Sequence, residues 1–185
     1  MPKAMSAAQR SEATDRELVM TRVFDAPCEL VFEAFTDPSH LMKWWGPHGC
    51  TVISCQADPR VGGTWSISMR SPRILPTNAG PTLPPTRRSG RGLPDHEDDW
   101  IVEKQRGVYQ EVIKPERLVF TYGFEDDAGH LLHRTLVTIG LADEGGKTRL
   151  TLHQAIFESV SARNDHVRGW TEALEHLADH LMSTD

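Results

Sequence analysis

The sequence has no run of 18 apolar residues, so no segment reads as a membrane-spanning helix. Cysteine is scarce: Cys28, Cys50 and Cys55 are the full set. This odd count, behind a polar, alanine-rich start (Met1 to Arg16) without an apolar leader, points to reduced thiols and a cytoplasmic protein. Cys50 and Cys55 fall at opposite parity of one strand-like stretch, and no further ligands stand at zinc spacing, so no metal is expected. A glycine-rich phosphate loop is missing. The two glycines of "RVGGTW" precede a strand-like run rather than a helix, which reads as a tight turn. There is no Gly-x-Ser-x-Gly elbow, and the cysteines have no readable catalytic partner, so no catalytic residue is assigned and no cofactor is called for. Positive charge is also short. The 20 Lys and Arg stand against 26 Asp and Glu, a net charge of −6, which argues against nucleic acid or an anionic membrane as partner.

What is present is ordinary globular composition over 185 residues. A chain of this length buries roughly 70% of its unfolded surface. One domain is expected over residues 16–183, after a flexible tail at 1–15. Glu17 to Phe24 is β-rich. Pro27 suits the first position of a helix whose apolar face is Leu30, Val31, Ala34 and Phe35. Asp37-Pro38 repeats the device as cap and first residue of a second short helix, which Gly46-Pro47 ends. Strands are predicted at 51–56, 64–70, 107–113, 118–124, 135–141 and 148–155, joined by short turns, which makes the sheet antiparallel. A long helix over 162–182 closes the chain. Its residues Val167, Trp170, Leu174, Leu177 and Leu181 recur at spacings of 3, 4, 3 and 4, one helical stripe.

Residues 71–99 do not fit this pattern. They hold 6 of the 12 prolines, and a basic stretch (Arg87, Arg88, Arg91) runs into an acidic one (Asp95, Glu97, Asp98, Asp99). So little apolar surface cannot offset ordering entropy. An exposed insertion is expected, with tryptic cleavage at those arginines.

Five strings, "TRVFDAPCELVFEAFTDPSHLMKWWGP" (21–47), "DPRVGGTWSISMRSP" (58–72), "GVYQEVIKPERLVFTYGFED" (107–126), "GGKTRLTLHQAIFES" (145–159) and "HVRGWTEALEHLADHL" (166–181), resemble one family. It is the branch of the START-like (SRPBCC) superfamily named as homologues of the activator of heat-shock-protein-90 ATPase. The resemblance runs over about 17–182 apart from the proline-rich segment, where the family usually has a short hairpin. It implies an α+β helix-grip (START/Bet v-like) fold: a curved antiparallel sheet of six or seven strands around a long C-terminal helix, with two short helices after the first strand. It also implies a cavity between sheet and helix.

On that implication the candidate ligand-binding residues are Phe35, Trp44, Trp45, Trp65, Tyr109, Glu111, Phe120, Tyr122, His166 and Trp170. Aromatic walls with a few polar handles are the usual make-up of a ligand pocket, and equally of a core. Trp44 and Trp45 point about 100° apart on a helix, so one faces inward while the other is partly exposed as gate or partner contact, or both plug the core. Trp65 is placed on the cavity wall. Glu111 shares the parity of Tyr109 and faces inward if the tyrosine does. His153 has the parity opposite to Leu150 and Leu152, and an inward Glu111 beside it would begin acid–base chemistry; an outward face is the plain alternative. His176 and His180, four residues apart, read as a surface pair, and His166 reaches the cavity or is a satisfied core histidine. Three functions follow, in order. The first is binding of a small apolar or amphipathic molecule. The second is a protein-interaction, co-chaperone-like module. The third is a cyclase or hydratase of polyketide-like compounds. A homodimer is compatible with all three.

Overall fold

Alternating apolar and polar side chains pair into seven strands in the computed structural model, which describes residues 15–72 and 100–184. The strands are β1 (Leu18–Phe24), β2 (Thr51–Ala57), β3 (Thr64–Pro72), β4 (Trp100–Ile113), β5 (Arg117–Phe124), β6 (Thr135–Asp143) and β7 (Thr148–Ala155). They form one sheet in the order β1-β7-β6-β5-β4-β3-β2, and every neighbouring pair is antiparallel. The helices are α1 (Cys28–Thr36), α2 (Pro38–Trp44) and α3 (Val160–Met182). Helices α1 and α2 carry the chain from one edge of the sheet, β1, to the other, β2.

The local signals act as the residue chemistry requires. The Asp37 carboxylate accepts the Ser39 backbone N–H at 2.7 Å, and Pro38 occupies the first position of α2. Pro27 stands one residue outside α1, extended at φ −68° and ψ 155°, rather than as its first helical residue. Ser159 caps α3 by accepting the Ala162 N–H. Along α3 the buried residues are Trp170, Ala173, Leu174, Leu177 and Leu181, with Val167 packed on the core beside them. The helix lies on the face of the sheet formed by Trp65, Ile67, Leu118, Phe120, Val137, Ile139, Leu150 and Leu152, all 4% exposed or less. This is the helix-grip arrangement that the resemblance implied.

Strand β4 departs from expectation in two ways. It begins at Trp100, seven residues before the predicted start, and pairs with β3 as far as Pro72. A search for alternating apolar residues passes over these positions because the inward ones are polar, Glu103 and Gln105, opposite Met69 and Ile67. A β-bulge then interrupts the pairing between Tyr109 and Glu111. Tyr109 lies opposite Phe120, but Glu111 lies opposite Val119, so the alternation changes phase and Val112, not Glu111, packs on the core. Of the proline-rich insertion expected at 71–99, Ser71 and Pro72 complete β3, and residues 73–99 lie outside the described residues. So do residues 1–14 of the expected tail.

Candidate functional site

The first half of α3 presents small side chains to the sheet. Ala162, Gly169 and Ala173 share a helical face with His166, and all four line a cavity of about 470 Å³. Gly169 matters most for its volume: a Cβ placed there would meet no atom within 4 Å. Opposite stand Met69, Tyr122 and Phe124 of the sheet, with Trp45 and Trp170 closing the sides. The mouth runs past Gly46, whose φ of +103° turns the chain out of α2 and whose carbonyl is bonded to His176 Nδ1 at 3.0 Å.

Two buried polar bridges hold these walls. Trp170 Nε1 donates to Gln154 Oε1 at 2.7 Å; the amide of Gln154 donates to Thr135 Oγ1 at 2.7 Å, and that hydroxyl donates to the Tyr122 carbonyl at 3.1 Å. Trp45 Nε1 donates to Gln105 Oε1 at 2.8 Å. Gln154 and Gln105 are 0% and 3% exposed, so each indole finds a partner that no water would supply. The bridges fix the rotamers of Trp45 and Trp170, whose ring centroids lie 5.3 Å apart in an edge-to-face arrangement.

Two polar groups enter the cavity itself. His166 Nδ1 lies 2.8 Å from the Ala162 carbonyl, which can only accept, so the ring proton sits on Nδ1 and Nε2 presents a lone pair. Nε2 is buried and has no partner among the described residues. Burial pushes the imidazole below its ordinary value, which keeps it neutral, and the ring packs against Tyr122, Phe124 and Phe157. From the sheet comes Glu103, one of whose oxygens accepts the hydroxyl of Ser71 at 2.6 Å. Around the mouth stand Glu158, Asp165, Glu172, Arg168 and His48.

The structure divides the predicted site residues. Trp45, Tyr122, His166 and Trp170 line this cavity. Phe35, Trp65, Tyr109 and Phe120 instead surround a void of about 10 Å³, too small to admit a ligand, so they are core. Trp65 is 4% exposed and its Nε1 donates to the Thr121 carbonyl, not into a cavity. Trp44 is also core, at 1% exposure with Nε1 donating to the Ala34 carbonyl, and Trp45 at 8% is no exposed gate. Glu111 faces away because of the β4 bulge and pairs with Arg117 at 2.9 Å. His153 pairs with Glu17 at 3.0 Å, so Glu111 and His153 each have another partner and are not brought together as an acid–base couple. His180 meets His40 at 2.9 Å, and His176 packs edge-on to His48, so neither is a plain surface histidine. Among the described residues no group of three metal-ligating side chains converges. Sequence reasoning missed Glu103, Gln105 and Gly169. The parity signal for the first two was available, since Tyr109, Gly107, Gln105 and Glu103 alternate along one strand face.

Comparison with known proteins gives one family. The model described as Activator of Hsp90 ATPase homolog 1-like protein matches residues 25–74 and 95–182. Among solved structures, an AHSA1 protein from Silicibacter pomeroyi shares 23% identity over 91% of this chain and 99% of its own, with a TM-score of 0.70. A protein from Arthrobacter aurescens shares 23% over 92% and 88%, with a TM-score of 0.68. One from Chromobacterium violaceum shares 27% over 90% and 96%, with a TM-score of 0.63. No curated protein matches. Among the described residues no helix is long and apolar enough to cross a membrane.

Proposed function

The chain belongs to the Activator of Hsp90 ATPase homolog 1-like family, and from that premise we propose that it binds a small molecule with an apolar body in the cavity between its sheet and α3. The observation that carries this reading is an aromatic-walled space of about 470 Å³ lined in part by His166, whose buried Nε2 has no partner among the described residues. Small-molecule sites span about 300–1,000 Å³ and are mostly apolar with a few placed polar groups. An unsatisfied buried nitrogen costs about 1–3 kcal/mol, which a ligand hydroxyl or amine would recover. The test is Gly169→Phe, whose ring is sent toward the space from a position where a Cβ meets no atom within 4 Å. It is expected to keep the fold and to abolish thermal stabilisation by any ligand found in a screen of sterols, flavonoids, amines and fatty acids. A screen in which Gly169→Phe responds like the unmodified protein places binding elsewhere.

A second reading, acid–base chemistry on a polyketide-like compound, draws support from one observation: Glu103 and His166 line the same cavity. Turnover abolished by Glu103→Gln or His166→Gln, with the fold retained, would move that reading to first place. The co-chaperone reading that the family's description suggests separates cleanly from both, because a chaperone captured equally by the protein and by Gly169→Phe would not need the cavity.

A further inference from the structure

The charges at this cavity restrict what it accepts. On the basis of the binding reading above, we infer that the ligand is a cation, a protonated amine carried on an apolar, ring-sized body, and not an anion such as a fatty-acid carboxylate. Among the described residues Glu103 is the one charged side chain that the sheet contributes to the lining of this cavity. It extends from β4 beside Gln105, and the buried Ser71 hydroxyl holds one of its oxygens at 2.6 Å. Its other oxygen makes no hydrogen bond among the described residues, and no lysine or arginine there pairs with it. Among the described residues the lining also carries Glu158, Asp165 and Glu172 against Arg168, an excess of carboxylates. Glu172 is occupied in part, accepting the His48 N–H at 2.9 Å.

Hydrogen-bond polarity points the same way. His166 Nε2 is an acceptor by virtue of the Nδ1 contact to the Ala162 carbonyl. A carboxylate ligand would set lone pair against lone pair there and like charge against Glu103. An ammonium group offers several N–H donors at once, and neither a carboxylate nor an imidazole lone pair opposes it. The walls favour the same class, since Trp45, Tyr122 and Trp170 line the cavity, and aromatic faces attract cations when desolvated. The remaining donors, the Gln105 amide and the rotatable Tyr122 hydroxyl, leave room for one neutral acceptor on the ligand.

The experiment holds the apolar body constant and varies only the charge. Naphthylmethylamine, naphthylmethanol and naphthylacetate are titrated into the full chain at neutral pH by calorimetry. The ammonium is expected to bind about tenfold or more tightly than the carboxylate, with the alcohol between, as suits a charge-assisted hydrogen bond in a sheltered site. Glu103→Gln, which keeps an acceptor for Ser71, is expected to remove most of the ammonium's advantage and leave the alcohol's affinity in place. Equal or tighter binding of the carboxylate overturns the charge inference while the cavity reading stands. If none of the three binds, and Gly169→Phe behaves as the unmodified protein does, the cavity reading itself falls.

Discussion

Trp170 on α3 and Gln154 on β7 are joined by a hydrogen bond of 2.7 Å, and through Gln154 the helix is tied to Thr135 on β6 and the Tyr122 carbonyl on β5. The indole both plugs the core and forms one side of the cavity. Its two contributions separate by substitution. Trp170→Phe is expected to cost about 1–3 kcal/mol, because it leaves Gln154 Oε1 buried without its donor. Trp170→Ala is expected to cost about 3–5 kcal/mol, the range for a large buried aromatic. Glu175→Ala, at an exposed position whose nearest partner is His48 at 3.7 Å, is expected to change stability by no more than about 0.5 kcal/mol. Urea unfolding of the three variants checks the order; equal effects would show that the bridge does not bear on stability.

Two glycines carry opposite expectations. Gly169→Ala is expected to stabilise by up to about 1 kcal/mol, since it improves helix propensity at a site with open space. Gly107 has no room for a side chain: a Cβ there would sit 1.6 Å from the Thr121 carbonyl oxygen and 2.5 Å from Trp65 Nε1. Gly107→Ala is therefore expected to cost at least the upper end of the roughly 1–3 kcal/mol usual for overpacking. Thermal melts of both variants decide this, and destabilisation by Gly169→Ala would contradict an open cavity.

Acid is expected to weaken the fold through His166. Burial lowers its folded value, so below the unfolded value the unfolded chain binds more protons than the native one. Its contribution is therefore fully present above about pH 6.5, the unperturbed histidine value, and is lost as pH falls from there towards the folded value. Asp165 beside it acts in the opposite sense, and His180, lowered by burial with His40 and Lys43 adding, acts in the same sense. Unfolding free energy is expected to fall between about pH 7 and pH 5, and to fall less steeply in His166→Gln. An unchanged slope would assign the effect to His180 and the carboxylates.

Ligand binding is expected to appear in the melting midpoint and in tryptophan emission together. A ligand at 100 times its Kd adds about 2.7 kcal/mol. For a chain of this size each kcal/mol moves the midpoint by about 2–4 °C, so a shift of about 5–10 °C is expected. Trp45 and Trp170 line the cavity, whereas Trp65 lies behind Trp45 with ring centroids 5.7 Å apart. Trp65→Phe is thus expected to preserve both signals. Loss of the emission change in that variant would put the ligand among the core aromatics instead.

The order of elements was legible in the residues because each signal is local. The Asp37-Pro38 cap, the alternation of Thr135 to Leu141 and the stripe from Trp170 to Leu181 each arise from side chains within one or two turns or along one strand. The inward face of Trp65, Tyr109 and Phe120 was legible too, and all three are buried. Which buried aromatics border open space was not. That depends on the gap left by Ala162, Gly169 and Ala173 on α3, and such a gap exists only when the helix is laid on the sheet. The orientation of Glu111 was likewise beyond parity, because a single extra residue in β4 reverses every position after it. Periodicity determined a run of antiparallel strands followed by a long amphipathic helix, and the resemblance of the five strings implied that the sheet curves around that helix. Only the tertiary structure decided that the cavity lies over Glu103, Tyr122 and His166, because a void is a property of surfaces that meet from distant parts of the chain.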